Sequence, residues 1–345
     1  MPRTRMTKLP VEPLSPRINV TLKDVASIAG VSAMTVSRVL NAPENIPPAT
    51  VAKVRAAIES TGYIPNSAAK ALRSSRSRLI AAVLPTLTGP IFLDTIEALT
   101  QALASRGYQL IVGQSGYSDA GEDKLLTDII SRRPDGIVLV GVGHTDEGRR
   151  KLIASGIPIV ETWDLTAEPL DVLIGFSHEA VGREVSRFFA GRGHKKLAWI
   201  GADDVRAKRR WSAFAKSAQE LGLPQPAARF VVPPSKLADG RETLRALLAE
   251  HPDVDAVFCS SDALAIGVLI EARAQGIDVP KQLAVVGFGD LNFADQFEPA
   301  LTSVRIDGPH IGELAAHCIV SRALGLPLEE RIIDVGFTIV ERAST

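Results

Sequence analysis

Residues 20–41 read VTLKDVASIAGVSAMTVSRVLN, a stretch that predicts two short helices separated by a glycine. Thr21 and Asp24 have the spacing of a capping box at the start of the first helix. Gly30 permits a sharp change of direction, and Ser32 is placed to cap the second helix. The stretch is therefore typical of a helix-turn-helix unit.

The apolar residues of both segments recur three and four positions apart, as on one face of a helix. The expected buried faces are Val25, Ile28 and Ala29 in the first segment and Val36, Val39 and Leu40 in the second. The second helix then exposes Ala33, Met34, Ser37 and Arg38. A third helix is predicted from Pro48 to Ser60. An exposed face with an arginine on the second helix of such a pair is suited to the major groove of DNA.

Charge is distributed unevenly along the 345 residues, although the formal net charge is zero. Residues 1–78 contain 12 Lys and Arg against 4 Asp and Glu, a net charge of +8, so residues 79–345 carry −8. A basic first part and an acidic remainder suit phosphate contact at one end only. Residues 1–19 have no apolar core of a signal peptide, and we expect them to form a disordered tail.

Two cysteines, Cys259 and Cys318, are too few and too far apart for a disulfide framework. No apolar stretch approaches the length that spans a membrane. We therefore expect a cytoplasmic protein that has no membrane partner.

From residue 79 onward, short runs rich in β-formers alternate with amphipathic helical segments, and the alternation restarts at DVLIGF, residues 171–176. This pattern predicts two α/β lobes with parallel sheets and a cleft between them. Ligands of such sheets bind beyond the carboxyl ends of the strands. Between the helices and the lobes, residues 64–78 combine a short apolar face with a Ser/Arg-rich end, which predicts a segment that folds only on binding. A plain linker is the alternative.

Enzymatic motifs are incomplete. GVG at 141–143 and GFG at 287–289 follow strands but lack the third glycine of a dinucleotide site. GQSGY at 113–117 lacks the second flanking glycine of a nucleophile elbow. The six histidines show no metal-binding spacing. We therefore expect no catalytic residue, no metal site and no cofactor.

The opening helices, followed by GYIPNSAAKAL at 62–72, resemble the LacI/GalR family of bacterial transcription regulators. The resemblance continues through RPDGIVLVG, GHKKLAWIGA and DAVFCSSDALAIG and covers about residues 20–342. It implies a small all-α helix-turn-helix DNA-binding domain at 20–63, a hinge helix and linker at 64–78, and an α/β two-lobed periplasmic-binding-protein-like domain at 79–345 for effector binding and dimerisation. The chain is expected to cross between the lobes near Phe176, near Arg305 and close to the C-terminus.

The resemblance also implies a homodimer on a near-palindromic operator, with paired hinge helices in the minor groove and Leu72 wedged into a base step. Whether two dimers join into a tetramer is left open. The residues expected to contact double-stranded DNA are Thr21, Ser32, Ala33, Met34, Thr35, Ser37, Arg38, Asn41, Asn66, Ala69, Leu72 and Arg73.

The expected effector site combines residues at strand ends with positions where family members touch their ligand. These residues are Phe92, Gln114, Glu161, Trp163, Phe176, Arg210, Ser261 and Asp290. A guanidinium that faces a closed cleft favours an anion. As alternatives, the aromatic residues are ordinary core and Arg206 to Arg210 form a solvated basic face. Gly289 stands where the family usually places an aspartate, which puts the role of the following Asp290 in doubt.

ETWD at 161–164 and IGFSHEAVGREV at 174–185 look most similar to repressors of gluconate use. The prediction is therefore a repressor of carbohydrate catabolism whose DNA affinity responds to a small sugar acid, such as gluconate or a phosphorylated derivative. Whether the effector releases or promotes DNA binding is not fixed by the sequence. The alternative is a sugar or sugar-acid binding protein with an incidental helical N-terminal module.

Overall fold

The structure, a computed structural model, describes residues 20–64 and 76–345. The chain divides into two compact units, and the boundary in the sequence lies between residues 75 and 76. The expected disordered tail and most of the expected hinge segment lie outside the described residues. The described part of the first unit contains the helices α1 (Leu22–Ala29), α2 (Ala33–Asn41) and α3 (Pro48–Thr61), with a short 3-10 turn at Pro43–Asn45.

The capping residues of the helix pair agree with the prediction. The Thr21 hydroxyl accepts from the Asp24 amide, while the Asp24 carboxylate accepts from the Thr21 amide at 2.7 Å. Gly30 adopts the left-handed conformation with φ +64°, and the Ser32 hydroxyl accepts from the Thr35 amide. Each helix therefore begins where the sequence places its cap.

The prediction for Ile28 is wrong. Its side chain is 61% exposed, whereas Val25, Ala26 and Ala29 are buried against α3. Positions 25, 26 and 29 cluster on one side of a helix, and position 28 falls beside that cluster. Ala26 therefore occupies the core position that was expected for Ile28.

The second unit contains two six-stranded sheets. In the first sheet the spatial order is β11-β5-β4-β3-β1-β2, with bounds β1 Leu79–Leu84, β2 Gln109–Gln114, β3 Gly136–Val140, β4 Ile159–Thr162, β5 Val172–Gly175 and β11 Ile332–Asp334. In the second sheet the order is β12-β10-β9-β8-β6-β7, with bounds β6 Leu197–Ala202, β7 Ala227–Val231, β8 Ala256–Cys259, β9 Ala284–Phe288, β10 Thr302–Arg305 and β12 Thr338–Val340.

Eight α-helices of the second unit cover the sheets. Their bounds are α4 Leu93–Ala104, α5 Asp119–Ser131, α6 Asp146–Ser155, α7 His178–Gly191, α8 Val205–Glu220, α9 Leu237–Glu250, α10 Asp262–Ala274 and α11 Gly308–Ala323, and a 3-10 turn, Pro90–Phe92, precedes α4. Helices α4 and α11 pack against each other in the first lobe, as do α7 with α8 and α9 with α10 in the second.

Strand pairing is parallel throughout both sheets except between β10 and β12. The chain passes from one sheet to the other between β5 and β6, between β10 and β11, and between β11 and β12. The predicted fold class, an all-α helix-turn-helix unit followed by two α/β lobes, is confirmed. Within the described residues, no helix is both long and apolar enough to cross a membrane.

The two lobes meet over aromatic residues. The rings of Phe92 and Trp163 from the first lobe pack edge to face at 5.0 Å, and the Phe176 ring lies 6.1 Å from that of Phe288 in the second lobe. All four side chains are at most 5% exposed. A buried apolar layer therefore forms the floor of the cleft.

Candidate functional site

The exposed face of α2 is the candidate DNA interface of the first unit. Met34 is 65% exposed and Arg38 is exposed one turn later, while Val36 and Val39 are buried. Ala33, Thr35 and Ser37 are half-buried beside them. The face thus offers one apolar and one cationic side chain to a partner.

Capping and local hydrogen bonds hold the polar residues around this face. The Thr35 hydroxyl lies 2.9 Å from the Ser32 hydroxyl, and the side-chain amide of Asn41 donates to the Ser37 carbonyl at 2.7 Å. Thr21 is exposed at the start of α1. Asn66, Ala69, Leu72 and Arg73 lie outside the described residues, so their predicted DNA contacts stay predictions.

A cavity of about 140 Å³ opens between the lobes of the second unit, at the carboxyl ends of several parallel strands. Four of the predicted effector residues line it: Phe92, Trp163, Arg210 and Ser261. Phe176 lies beneath the lining, with its ring 6.0 Å from the Trp163 ring and 4.7 Å from the His178 ring. The position agrees with the general rule for open α/β sheets.

Arg210 is the most unusual group in the cavity. It is 5% exposed, and Nη1 lies 3.0 Å from His178 Nδ1 while Nη2 donates to the Ser260 carbonyl at 3.2 Å. Its guanidinium carbon lies 3.9 Å from the centroid of the Phe288 ring. Among the described residues, Nε has no hydrogen-bond partner and no carboxylate forms a salt bridge with this arginine.

Burial lowers the pKa of Arg210 to about 10, so the guanidinium remains protonated at neutral pH. A buried charge is costly unless an opposite charge compensates it. The neighbours that hold Arg210 are an imidazole, a carbonyl and an aromatic ring, and none of them supplies that charge. The carboxylates of Asp204 and Asp164 favour its charged form but form no salt bridge with it. The site is therefore prepared for an anion from outside the chain.

His178 positions the arginine. Burial, with the nearby charge of Arg210, holds the pKa of His178 well below its usual value, so the ring is neutral. Its Nε2 is 3.1 Å from the Trp163 carbonyl, which can only accept, so Nε2 carries the proton and Nδ1 accepts from Arg210. His178 thus fixes the guanidinium without neutralising it.

Close backbone packing also sets the position of Arg210. Gly182 of α7 lies so near α8 that an added Cβ would overlap the Arg210 carbonyl oxygen. Across the cavity, Trp163 adopts φ +66°, and its indole nitrogen donates to the Thr95 hydroxyl at 3.2 Å. A tryptophan in this left-handed region is strained, and its neighbours hold it in place beside the cavity.

Besides Phe176, three predicted effector residues do not line this cavity. The side-chain oxygen of Gln114, Oε1, accepts from the Leu87 amide at the exposed edge strand β2. The buried Glu161 carboxylate accepts from the Leu170 amide at 2.7 Å and approaches His144 at 3.4 Å. Asp290, with φ +47°, turns its carboxylate to Arg305 and Arg342, each at 2.6 Å.

Sequence reasoning missed three residues that the cavity includes. His178 follows the cap Ser177 directly after β5, a strand-end position that could have marked it. Arg206 lies one turn before Arg210, and its guanidinium is 5.3 Å from the Phe92 ring, with Nη1 buried and lacking a partner among the described residues. Phe288, the last residue of β9, stacks on Arg210. Only the folded chain shows that these side chains converge.

A helix-turn-helix unit on the same chain as a two-lobed unit with a prepared anion cavity defines the class of ligand-responsive DNA-binding regulators. Residues 21–66 match the model of bacterial regulatory proteins of the lacI family, and residues 186–345 match a periplasmic binding protein-like domain. The HTH-type transcriptional regulator GntR of Pseudomonas aeruginosa is 36% identical over 94% of this chain and 95% of its own length.

A GntR regulator of Escherichia coli is 32% identical over 92% of this chain and 96% of its own length. A crystal structure of a LacI family transcriptional regulator from Silicibacter pomeroyi superposes with a TM-score of 0.88 at 34% identity, covering 94% of this chain and 99% of that one. The chain belongs to the LacI family of bacterial regulatory proteins. It is a transcriptional repressor with an effector-binding domain, and not an enzyme.

Proposed function

We propose that this repressor controls genes of sugar-acid catabolism and that its effector is a small sugar acid such as gluconate or a phosphorylated derivative. The observation that carries the proposal is Arg210, a buried cation that has no anionic partner among the described residues. A carboxylate in the cavity would supply the missing negative charge and accept from Nε. Similarity to two regulators named GntR supports a gluconate-related effector.

The cavity walls suit a hydroxylated carbon chain. Phe92 and Trp163 provide flat apolar surfaces, and Ser261, Thr86 and Thr88 place hydroxyl groups at the lining. Arg206 adds a second guanidinium one turn from Arg210, so two cationic side chains reach the same small volume. A carboxylate with an adjacent hydroxyl matches this arrangement better than a neutral sugar does.

The proposed mechanism is that of a homodimer on a near-palindromic operator, with residues 20–63 as the DNA-binding domain, 64–78 as hinge helix and linker, and 79–345 as the effector and dimerisation domain. Ligand that binds one closure angle of the lobes better than another shifts the population between them and thereby changes operator affinity. The cytoplasm is the proposed location, and the buried free thiols of Cys259 and Cys318 are compatible with it.

Operator binding measured with and without gluconate tests the proposal. A labelled near-palindromic site from upstream of the chain's own gene neighbourhood, titrated at several salt concentrations, should show affinity that falls steeply with salt, because binding releases counterions from the phosphates. Gluconate should shift the midpoint, and a neutral hexose should not. An operator affinity that ignores every sugar acid would contradict the proposed effector class.

A further inference from the structure

A second, larger cavity adjoins the one that contains Arg210. It measures about 530 Å³, and Tyr117, Asp204 and Arg206 line both. Because these three residues belong to both linings, a six-carbon acid whose carboxylate meets Arg210 can extend past Arg206 into the larger cavity.

The wall of the larger cavity contains a buried charge cluster from three elements of the first lobe. His144, after β3, places Nδ1 at 2.6 Å from a carboxylate oxygen of Glu122 on α5 and Nε2 at 3.4 Å from Glu161 on β4. The His144 and Glu161 side chains are 3% and 0% exposed, whereas that of Glu122 is 25% exposed. Glu122 and His144 both line the cavity, and Glu122 is the more accessible of the two.

His144 is charged in this setting. Burial opposes protonation, but the hydrogen bond to Glu122 and the charges of both carboxylates, with Glu161 at 3.4 Å, outweigh it and raise the pKa of His144 to about 9. One imidazolium faces two carboxylates, so the cluster keeps a net charge of −1. Glu122 lines the cavity beside His144, and the second oxygen of Glu122 accepts no hydrogen bond from the described residues.

We propose that Glu122, held by His144 and Glu161, is a specificity-determining residue that accepts hydroxyl groups at the far end of a polyhydroxy monocarboxylate and disfavours a second anion there. The inference rests on the proposed function, because the carboxylate at Arg210 sets the direction of the ligand. The unpartnered, buried Nε of Arg210 marks where the carboxylate end of the ligand binds, and the cluster around Glu122 marks where its far, hydroxyl-bearing end binds.

The two cavities also differ in which of their charged side chains form salt bridges. Arg206 and Arg210 stand at the smaller cavity without salt bridges among the described residues. Arg206 and Asp204, which have opposite charges, line both cavities. Among the other acidic residues of the larger cavity, Asp164 is paired with Arg209 and Asp203 with Lys208, so Glu122 carries the charge of its cluster. A phosphate beside Glu122 would meet a like charge in a partly enclosed space, where repulsion is stronger than in water.

Isothermal titration of the full-length protein with gluconate, with 6-phosphogluconate and with hexanoate tests the assignment. Wild type should bind gluconate more tightly than either of the other acids. Glu122→Gln should weaken gluconate binding about tenfold, as expected for the loss of one charge-assisted hydrogen bond. The same variant should show a smaller difference in affinity between gluconate and 6-phosphogluconate. Glu122→Asp should weaken gluconate binding because the side chain is shorter. It should keep the preference for gluconate over 6-phosphogluconate because the charge is retained.

Asp128→Asn is the matched control, since it removes one negative charge from the exposed side of the same helix. Thermal unfolding without ligand establishes that each variant is folded. If wild type binds none of the acids, the proposed function fails and this inference fails with it. If wild type binds gluconate but Glu122→Gln binds both sugar acids as wild type does, or if wild type prefers 6-phosphogluconate, only the role of Glu122 is overturned.

Discussion

Arg38 and Arg210 present the same guanidinium in opposite settings. Arg38 stands exposed on α2, where water solvates its charge and no buried neighbour constrains it. Arg210 is 5% exposed and is held by His178, Ser260 and Phe288. The first can meet a large charged surface, and the second accepts only an anion that enters the cavity.

This difference has energetic consequences. An exposed cation loses little when its partner is absent, and its attraction to phosphates is screened by salt. A desolvated cation has already lost its water, so the cost of its burial is recovered when a counter-anion binds. The exposed α2 face should therefore govern DNA affinity in a salt-dependent way, and the cavity should govern ligand affinity with weak salt dependence.

The largest expected effect follows from removing the buried cation. Arg210→Ala should weaken sugar-acid binding by at least 100-fold, about 3 kcal/mol, because the ligand carboxylate would then be buried unpaired. Operator affinity without ligand should remain that of wild type. Titration calorimetry and operator gel shifts measure the two quantities.

Lys216→Ala, on the exposed side of α8, is the control for Arg210→Ala and should leave both affinities unchanged. The unliganded Arg210→Ala variant should be as stable as wild type or more stable, since an uncompensated buried charge has been removed. Unimpaired binding of sugar acids by this variant would show that Arg210 is not the anion contact.

The second prediction uses a pH dependence that arises in the cavity wall. The pKa of His144 is raised from its ordinary value of 6.5 to about 9, so its contribution to stability is fully present below pH 6.5 and is lost as pH rises through about 9. That span corresponds to about 3 kcal/mol. Urea unfolding of wild type and His144→Asn from pH 6 to 9.5 should show a stability difference that shrinks as pH rises.

His251 is the matched position for this experiment, because it is exposed at the end of α9. His251→Asn should follow the wild-type pH profile throughout the same range. A difference between wild type and His144→Asn that stays constant from pH 6 to 9.5 would mean that His144 does not take up a proton on folding.

The third prediction concerns the exposed guanidinium. Arg38→Ala should lower affinity for the operator by about 1–3 kcal/mol, as for a bidentate contact with guanine, and affect random duplex much less. Lys53→Ala, which removes one exposed positive charge from α3, should leave the ratio of operator to random binding unchanged. Equal losses on both kinds of DNA in Arg38→Ala would argue for a phosphate contact instead.

The smallest expected effect is local to the first helix. Thr21→Ala removes the hydroxyl that accepts from the Asp24 amide and should destabilise α1 by about 1 kcal/mol. Hydrogen exchange of the α1 amides should become about fivefold faster, while exchange in α8 serves as the internal reference. Unchanged exchange in α1 would show that the cap contributes nothing measurable there.

Much of the helix-turn-helix unit could be predicted because its determinants are local. Thr21, Gly30 and Ser32 act on amides within a few residues, so spacing alone locates the helix ends. Ile28 was misplaced because an eight-residue helix leaves the centre of its buried face ambiguous until α3 packs on it. The alternation of strands and helices in the lobes was predicted in the same way as far as β9, but not the strands β10 to β12 or the helix α11.

The cavity could be predicted only in part. Phe92, Trp163, Arg210 and Ser261 were found because they follow strands or occupy positions that family members use. Glu161, Gln114 and Asp290 also follow or end strands, yet their side chains satisfy partners elsewhere. No spacing rule distinguishes the two groups, because the distinction depends on the directions in which folded backbones point.

The amino-acid sequence by itself determined the helix-turn-helix unit, the two-lobed α/β architecture and the family, because capping, periodicity and motif spacing act over short stretches of chain. Only the tertiary structure decided that His178 holds Arg210 without neutralising its charge and that Glu122 shares a buried cluster with His144 and Glu161. These contacts join residues up to 32 positions apart in the chain. The lowered pKa values of His178 and Arg210 arise from burial, which exists only once the lobes have packed.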